Sequence, residues 1–386
     1  MEIEQKTVLT ELGQFPYYSK DQTLIVRNFS EPALDWSGSL DFAQRAIDSL
    51  GHQGTIMFIT KGRIEKTEVI RARKMVEEGA KLIFVVTHAG NPRQVEKAPR
   101  QGRIDTARSL SAENIPVIMS MRPLILGVNT DPQTIESTLS SMGSAVQAIT
   151  VGGLFVYDFT VDRFRTIGIE LSDLYKYKDP YRENKLLPDY VPELVRRIAK
   201  DVGVSVPIYD HTTCASAYIT NRRYGVQKHD RLAHWADQSP QFSQCNLYCP
   251  VNQRNICQKS SEQDIGVAIS LGNDELNRIG FQQKLIASPN RHGVLLVKDG
   301  DLHLSELFFI EEKTGFCVEN LPAADRLANT LDSYTRQQGH QKIYFTDSSG
   351  VYHIHIENQF SEDQKADLLK YLWKKTRSRS FEITFP

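Results

Sequence analysis

Residues 54–87 read GTIMFITKGRIEKTEVIRARKMVEEGAKLIFVVT. Apolar residues dominate positions 54–60 and Lys81–Thr87, whereas over 65–79 they recur at helical spacing. Strands that are apolar throughout are typical of parallel sheets, because helices cover both faces or the sheet closes on itself. The stretch therefore predicts a strand–helix–strand unit of an α/β protein.

The same alternation extends in both directions along the chain. Further strands are predicted at 23–28, 115–121, 145–151 and 204–210, with amphipathic helices between them. Six strands in series predict a full or partial (β/α) barrel, and an open doubly wound sheet is the alternative. No G-x-G-x-x-G follows the first strand and no phosphate-binding loop is present, which disfavours a nucleotide-binding sheet.

The pattern predicts three segments. Residues 1–221 form the partial β/α barrel, 222–262 a cysteine-rich segment that holds a metal or cluster, and 263–386 a small α+β domain. No obvious short repeat is visible.

The last segment is expected to contain two β-hairpins. One covers 292–310 and turns at Asp299–Gly300, and the other covers 341–357 and turns at Ser348–Gly350. A helix capped by Ser361 and a final strand in SFEITF complete the predicted α+β domain.

The composition is that of an ordinary globular protein. The 386 residues include 46 Lys and Arg and 47 Asp and Glu, so the net charge of −1 gives the whole chain no bias toward nucleic acid or anionic membranes. The first residues, MEIEQKTVLTELGQF, lack the apolar core of a signal peptide, and no apolar run is long enough to span a membrane. We expect a cytoplasmic protein without membrane association.

Three of the five cysteines lie in CNLYCPVNQRNIC, residues 245–257. Cys245, Cys249 and Cys257 are spaced C-x3-C-x7-C, and Cys214 lies upstream in YDHTTCASAY. Four thiolates in one region can hold a zinc ion or an iron–sulfur cluster, although only Cys245 and Cys249 have a usual zinc-ligand spacing. The alternative is that these are reduced, buried thiols acting as small apolar side chains.

Polar residues stand at the predicted carboxyl ends of the strands, where α/β enzymes place their chemistry. They are Glu31, Thr60, Lys61, Ser120 and Arg122. Glu31 can accept hydrogen bonds from an ammonium group. Lys61 and Arg122 can bind the carboxylate or ribose of a small ligand. The alternatives are a solvated loop acid at Glu31 and ordinary surface charge at the two cations.

Four short motifs occur in order along this part of the chain. They are NFSEP (28–32), MFITKG (57–62), EKAPRQGRIDTARSLSAENIPV (96–117) and RPLILGVNTD (122–131). Their order and spacing resemble those of the radical S-adenosylmethionine (SAM) superfamily, in particular its branch of spore photoproduct lyase-like, DNA repair photolyase-related proteins. The resemblance covers residues 20–215.

The resemblance implies a partial β/α barrel of radical-SAM type. Glu31 would hold the amino group of SAM, with Thr60, Lys61, Ser120 and Arg122 as further cofactor-binding residues. The cysteines would correspond to an auxiliary [4Fe–4S] cluster, with Cys214, Cys245, Cys249 and Cys257 as ligands. The implied activity is reductive cleavage of SAM to a 5′-deoxyadenosyl radical, which abstracts hydrogen from a nucleic acid lesion, a nucleoside or a peptide.

The sequence departs from this family at one motif. The superfamily's first strand is followed by C-x3-C-x2-C, whose thiolates hold the cluster that reduces SAM, but no cysteine precedes Cys214. Three explanations remain open: a separate chain supplies the first strand and the SAM cluster, the start has been lost upstream, or the barrel has dropped SAM cleavage. Under the first, the expected partners are that chain and a reductant protein.

Two other functions are compatible with the residues. A non-catalytic barrel with a structural zinc on the four thiolates would act in binding or assembly, because closed four-ligand zinc sites are structural. A metal-independent lyase or aldolase would use Lys61 as a Schiff-base amine.

Overall fold

The structure is a computed structural model that describes residues 5–15, 18, 20–27, 30–156, 158–171, 185–188, 190–221, 249–258, 265–288, 294–314, 316–338, 343–348, 351–356, 361–376, 378 and 381–384. For some residues within these ranges, Cys257 and Cys317 among them, only the backbone is described. The chain divides into two compact units, Met1–Gln227 with Tyr248–Gln253, and Lys228–Leu247 with Arg254–Pro386.

The first unit is built on one sheet. Its strands are β1 (Leu24–Val26), β2 (Thr55–Thr60), β3 (Lys81–Thr87), β4 (Val117–Leu124), β5 (Ala148–Phe155), β6 (Lys185–Leu186) and β7 (Ile208–Tyr209). Strands β1 to β5 pair in parallel and in chain order, β7 pairs in parallel with β5, and β6 runs antiparallel to the end of β5. The fold is therefore α/β with a six-stranded parallel sheet, as predicted.

Helices alternate with these strands. They are α1 (Gln5–Gln14), α2 (Trp36–Leu50), α3 (Lys66–Glu77), α4 (Arg100–Ala112), α5 (Pro132–Met142), α6 (Asp158–Thr166), α7 (Tyr190–Asp201) and α8 (Thr212–Ile219). One apolar core joins α2, α3, α4, α5 and α7 to a single face of the sheet. A doubly wound sheet carries helices on both faces and reverses its strand order. The observed order is compatible with a partial β/α barrel, and the described strands do not show the reversed order of a doubly wound sheet.

The opposite face of the sheet, here called the inner face, has its own apolar residues. They are Met57, Ile83, Val85, Ile118 and Ala148. Helix α8 lies over β4, β5 and β7 on this side, with Ala215 fully buried against the sheet.

The second unit contains four helices and two three-stranded sheets within its described residues. The helices are α10 (Ile265–Arg278), α11 (Leu304–Thr314), α12 (Ala324–Gln338) and α13 (Glu362–Thr376); α9 (Val251–Gln258) precedes them and begins in the first unit. The sheets consist of β8 (Leu285–Ala287), β9 (Val294–Lys298) and β10 (Cys317–Leu321), and of β11 (Ile343–Ser348), β12 (Val351–Ile356) and β13 (Phe381–Thr384). No helix in the described part of the chain has the length and apolar character to cross a membrane.

The hairpin predicted at 292–310 is wrong in its second half. Strand β9 is present, but after the turn at Asp299–Gly300 the chain forms α11 instead of a second strand. The helix begins where the Glu306 carboxylate accepts a hydrogen bond from the His303 N–H. This is one of the two hydrogen bonds of a capping box, the one from the side chain at N3 back to the N-cap backbone. Leu307 and Ile310 are then fully buried at helical spacing.

The second predicted hairpin and the helix after it are confirmed. Strands β11 and β12 pair antiparallel up to Ser348 and Val351. Ser361 Oγ accepts from the Gln364 N–H (3.2 Å) while the Ser361 N–H donates to Gln364 Oε1 (2.9 Å), a reciprocal cap that starts α13.

Candidate functional site

Four hydroxyl groups form a row across the inner face near the carboxyl ends of the strands. Thr87, Ser120, Thr150 and Tyr209 are successive register partners on β3, β4, β5 and β7, which lie about 4.8 Å apart. Their neighbours along each strand belong to the helix-side core, so strand alternation directs these four side chains to the inner face. All four residues are buried.

The row has unused hydrogen-bonding capacity. Thr150 is 0% exposed, and its Oγ1 has no hydrogen-bond partner among the described residues. Buried hydroxyls are normally satisfied, so an unpaired one indicates a place for a bound water or ligand group. Sequence reasoning placed Thr87 and Ser120 at strand ends, with Ser120 as a candidate site residue, but it missed Thr150 and Tyr209 because they lie inside apolar strand segments.

Two of the predicted cysteine ligands meet at Tyr209. Cys214 on α8 and Cys249, two residues before α9, are half-buried and both pack against the inner-face core that contains Tyr209. Burial raises the pKa of the Tyr209 phenol, and the negative charges of the Cys249 and Cys214 thiolates raise it further. Tyr209 is therefore a buried phenol that stays protonated beside the two cysteines.

The other two cysteines cannot be added to this pair. Cys245 lies outside the described residues, and for Cys257 the structure gives only a backbone position in α9. Among the side chains that are described, no group of three or more His, Cys, Asp or Glu is arranged to hold a metal ion. Cys214 and Cys249 are thus two thiol donors of a larger predicted set.

Glu31 is a fixed carboxylate that connects the loop after β1 to the end of β2. Its Oε1 accepts hydrogen bonds from the Ala33 N–H (3.1 Å) and from Thr60 Oγ1 (2.5 Å), and its Oε2 accepts one from the Lys61 N–H (2.9 Å). A carboxylate offers about four acceptor positions, so the chain fills three and leaves one. The alternative of a solvated loop acid is therefore wrong.

The side chains of Thr60 and Lys61 support this arrangement. Thr60 is 1% exposed, and its hydroxyl accepts from the Gly62 N–H (3.0 Å) while donating to Glu31. Lys61 Nζ lies 2.7 Å from Glu96, whose other carboxylate oxygen is 3.4 Å from Arg103. Thr60 and Lys61 thus belong to the Glu31 cluster, defined as Glu31, Thr60, Lys61, Glu96 and Arg103.

Arg103 ties the carboxyl ends of β2 and β3 together. It is almost completely buried, and its guanidinium donates to the carbonyls of Lys61 (3.2 Å), Thr87 (3.2 Å) and Ala98 (2.9 Å). The motif that begins at Glu96 therefore contributes an internal brace for the strand ends.

Arg122 plays a comparable part at the other end of the edge. Its Nε donates to the carbonyl of Val151 (3.2 Å), and its Nη2 donates to the carbonyl of Asp210. The guanidinium lies on Gly152, where an added Cβ would come within 2.6 Å of Nε. Arg122 therefore links β4, β5 and the end of β7, and the alternative of ordinary surface charge is wrong.

We expect Glu31→Gln to lower the free energy of unfolding by about 1–2 kcal/mol, because a neutral amide weakens charge-assisted bonds and turns an NH2 group toward a backbone donor. Urea unfolding measures the change. Glu65→Gln is the matched control, since Glu65 is exposed and makes no side-chain cap at the start of α3. Equal stability of both variants would contradict the bracing role of Glu31.

The predicted site residues form separate groups along one edge. The Glu31 cluster occupies the β1–β2–β3 end, whereas Ser120 and Arg122 lie toward β5 and β7, where Cys214 and Cys249 meet Tyr209. No family model matches the chain, and no curated protein matches it either.

Proposed function

We propose that this chain is a component of a radical SAM enzyme and carries an auxiliary iron–sulfur cluster at the carboxyl edge of its parallel sheet. The observation behind the proposal is the meeting of Cys214 and Cys249 at Tyr209. Two thiols that are distant in the sequence come together at the sheet edge where α/β enzymes hold their ligands. The ordered motifs supply the family resemblance.

The donor chemistry fits an iron–sulfur cluster. Cys214 and Cys249 would be two ligands, and Cys245 and Cys257 would complete a four-thiolate set. A cluster held by four thiolates relays electrons when bound. The Tyr209 phenol, kept protonated by burial and by the thiolate charges, would face the ligands as a hydrogen-bond donor.

Of the residues predicted to bind SAM, Glu31 has the contacts that best suit its predicted role, which is to hold the amino group. Its one remaining acceptor position can take an ammonium hydrogen bond, and Thr60 and the Lys61 N–H hold the carboxylate in place. Arg122 is engaged by two backbone carbonyls, and its role is to position the strand ends. Ser120, in the hydroxyl row, would contact the ligand on the inner face.

Cleavage of SAM would require a second cluster, which a partner chain would provide. Within the described residues β1 pairs only with β2, so its other edge can accept a strand from such a partner. A reductant protein would supply electrons. The substrate classes implied by the resemblance are a nucleic acid lesion, a nucleoside or a peptide.

A structural zinc site is the second candidate. The same thiol pair favours it, because four thiolates without an open position are typical of structural zinc. The Schiff-base reading is less well supported: Lys61 is 43% exposed and paired with Glu96, whereas such lysines are usually desolvated.

Metal analysis of protein purified without oxygen tests the proposal. We expect about four irons and four sulfides per chain, both lost in Cys214→Ser and in Cys249→Ser. Cys317→Ser is the matched control and should keep its iron, because Cys317 belongs to β10 of the second unit and is not one of the predicted ligands.

The outcomes separate the candidates. One zinc without iron would replace the proposal with the structural-zinc function. A full iron content in both Cys214→Ser and Cys249→Ser would remove the thiol pair from the site and overturn the proposal.

A further inference from the structure

The second unit contains the same succession of elements twice. The first runs α10–β8–β9–α11–β10 and the second α12–β11–β12–α13–β13. In each, a hairpin is followed by a helix and by a strand that pairs in parallel with the hairpin's second strand. The first helix of each set contacts the hairpin and the second helix. We call the two sets module 1 and module 2.

The strand registers of the two modules correspond residue by residue. At the start of the hairpins Leu285 pairs with Val297, and Ile343 pairs with Ile356. In the parallel pairs Leu295 lies opposite Val318, and Ile354 opposite Ile383. One alignment satisfies both sets: Leu295 matches Ile354, and Val297 matches Ile356.

The second helices end in the same way. Thr314 Oγ1 donates to the Ile310 carbonyl (2.8 Å) and accepts from the Phe316 N–H (3.3 Å). Thr376 Oγ1 donates to the Leu372 carbonyl (2.7 Å) and accepts from the Ser378 N–H (3.2 Å).

Cation–π contacts repeat at the same helix ends. Lys313 and Lys375, which precede the two threonines, each lie over an aromatic ring one helical turn earlier. Lys313 Nζ is 5.6 Å from the centroid of the Phe309 ring, and Lys375 Nζ is 5.8 Å from that of Tyr371. The sequences agree at these places, with FIEEKT beside YLWKKT, and QKLI beside QKIY at the hairpin starts.

The alignment also shows where the modules differ. It matches Val294 and Leu296 of β9 with His353 and His355 of β12. Val294 and Leu296 are buried in the core that module 1 shares with Leu327 of α12. His353 and His355 alternate with buried residues of that core, so they face away from it and are half-exposed.

We infer that the second unit is a tandem array of two αββαβ modules, in which the His353–His355 face of β12 is an end cap. In module 1 this sheet face is apolar and holds the helices of the next module. Terminal modules of stacked arrays need a polar outer face, because an apolar one would accept further copies. In module 2 the corresponding sheet face carries the two histidines. Their polar side chains therefore leave this face in contact with solvent and prevent a further module from stacking on it. This inference is independent of the proposed function.

The test restores the module 1 residues at these positions in the full chain. We expect His353→Val/His355→Leu to raise the weight-average mass at least twofold over wild type at equal concentration, measured by sedimentation equilibrium. The matched control, Asp274→Leu/Asn277→Leu, adds two apolar residues to exposed positions on α10 and should keep the wild-type mass.

Two results would overturn the inference. In one, the double variant keeps the wild-type mass; in the other, the control associates to the same extent, so that any added apolar residue suffices. If the double variant precipitates, the single variant His355→Leu is judged by the same criteria. Circular dichroism of each variant verifies that the compared chains are folded.

Discussion

Replacing Arg103 with methionine is expected to lower the free energy of unfolding by about 3–5 kcal/mol. The guanidinium is almost fully buried, donates to the carbonyls of Lys61, Thr87 and Ala98, and pairs with Glu96. Methionine occupies similar space but donates no hydrogen bond. Three carbonyls would therefore lose a donor in a place that water reaches poorly, and the Glu96 carboxylate would keep only Lys61 of its two cations.

Urea unfolding followed by circular dichroism measures this loss. Arg71→Met is the matched control, since Arg71 pairs with Asp41 on a half-exposed surface and should contribute about 0–1 kcal/mol. Arg103→Lys should fall between the two, because one ammonium cannot reach three carbonyls. Equal stability of Arg103→Met and Arg71→Met would show that the buried brace adds no net stability.

The parallel sheet could be predicted because its strands are encoded locally. Residues 54–60 and Lys81–Thr87 are apolar on both faces, and the structure buries both, one side under helices and the other on the inner face. Strand order was harder to predict, since periodicity does not say which strands are neighbours. The structure settles it in favour of chain order.

The error at Leu304–Thr314 has a local cause. The preceding turn and the apolar cluster in LHLSELFFI are compatible with a hairpin as well as a helix, because short apolar runs do not fix the period. Two local hydrogen bonds favour the helix: the Glu306 carboxylate caps it at His303, and the Thr314 hydroxyl closes its last turn. Neither has a strong signature in the sequence.

The candidate site could be predicted only in part. Glu31, Thr60 and Lys61 were identified from their strand-end positions, and the structure brings them into one cluster. Tyr209 was missed because it lies inside a predicted strand. Its relevance to the site comes from its proximity to Cys214 and Cys249, which are distant from each other in the sequence. Thr150 was missed for the same reason: a threonine in an apolar strand looks like a β-forming residue until its hydroxyl is seen to be unpaired.

The two modules escaped detection because few residues are shared between them. The pairs that could have revealed them are Gln283–Lys284 with Gln341–Lys342, and Lys313–Thr314 with Lys375–Thr376. At most other matched positions the two modules share only the apolar or polar character of the residue. Burial constrains the volume of a side chain more than the residue type.

Acidification is expected to destabilise the first unit through His88, which follows β3 and is 3% exposed. Burial lowers the pKa of His88 to about 4, and the nearby Arg103 and Arg100 cations act in the same direction. Its Nε2 lies 3.3 Å from Ser141 Oγ, and its Nδ1 has no hydrogen-bond partner among the described residues. Ser141 Oγ donates to the Thr138 carbonyl and can accept from Nε2, so among the described residues it is a second proton, on Nδ1, that would find no acceptor.

The sign of the pH effect follows from the two pKa values of His88. In the unfolded chain His88 has its ordinary pKa of 6.5, so between about pH 6.5 and 4 the unfolded state binds more protons than the folded state. The contribution of His88 to stability is fully present above pH 6.5 and falls by about 3 kcal/mol as the pH drops to 4, with about 2 kcal/mol lost between pH 7.5 and 5.

His88→Gln, which cannot titrate, should lose correspondingly less stability between pH 7.5 and 5, as measured by urea unfolding. His303→Gln is the control for the loss of a histidine as such, because His303 is an exposed residue of the second unit. If His88→Gln and wild type lost the same stability between pH 7.5 and 5, the acid sensitivity would belong to other groups, and His88 would have to find a proton acceptor in the folded state.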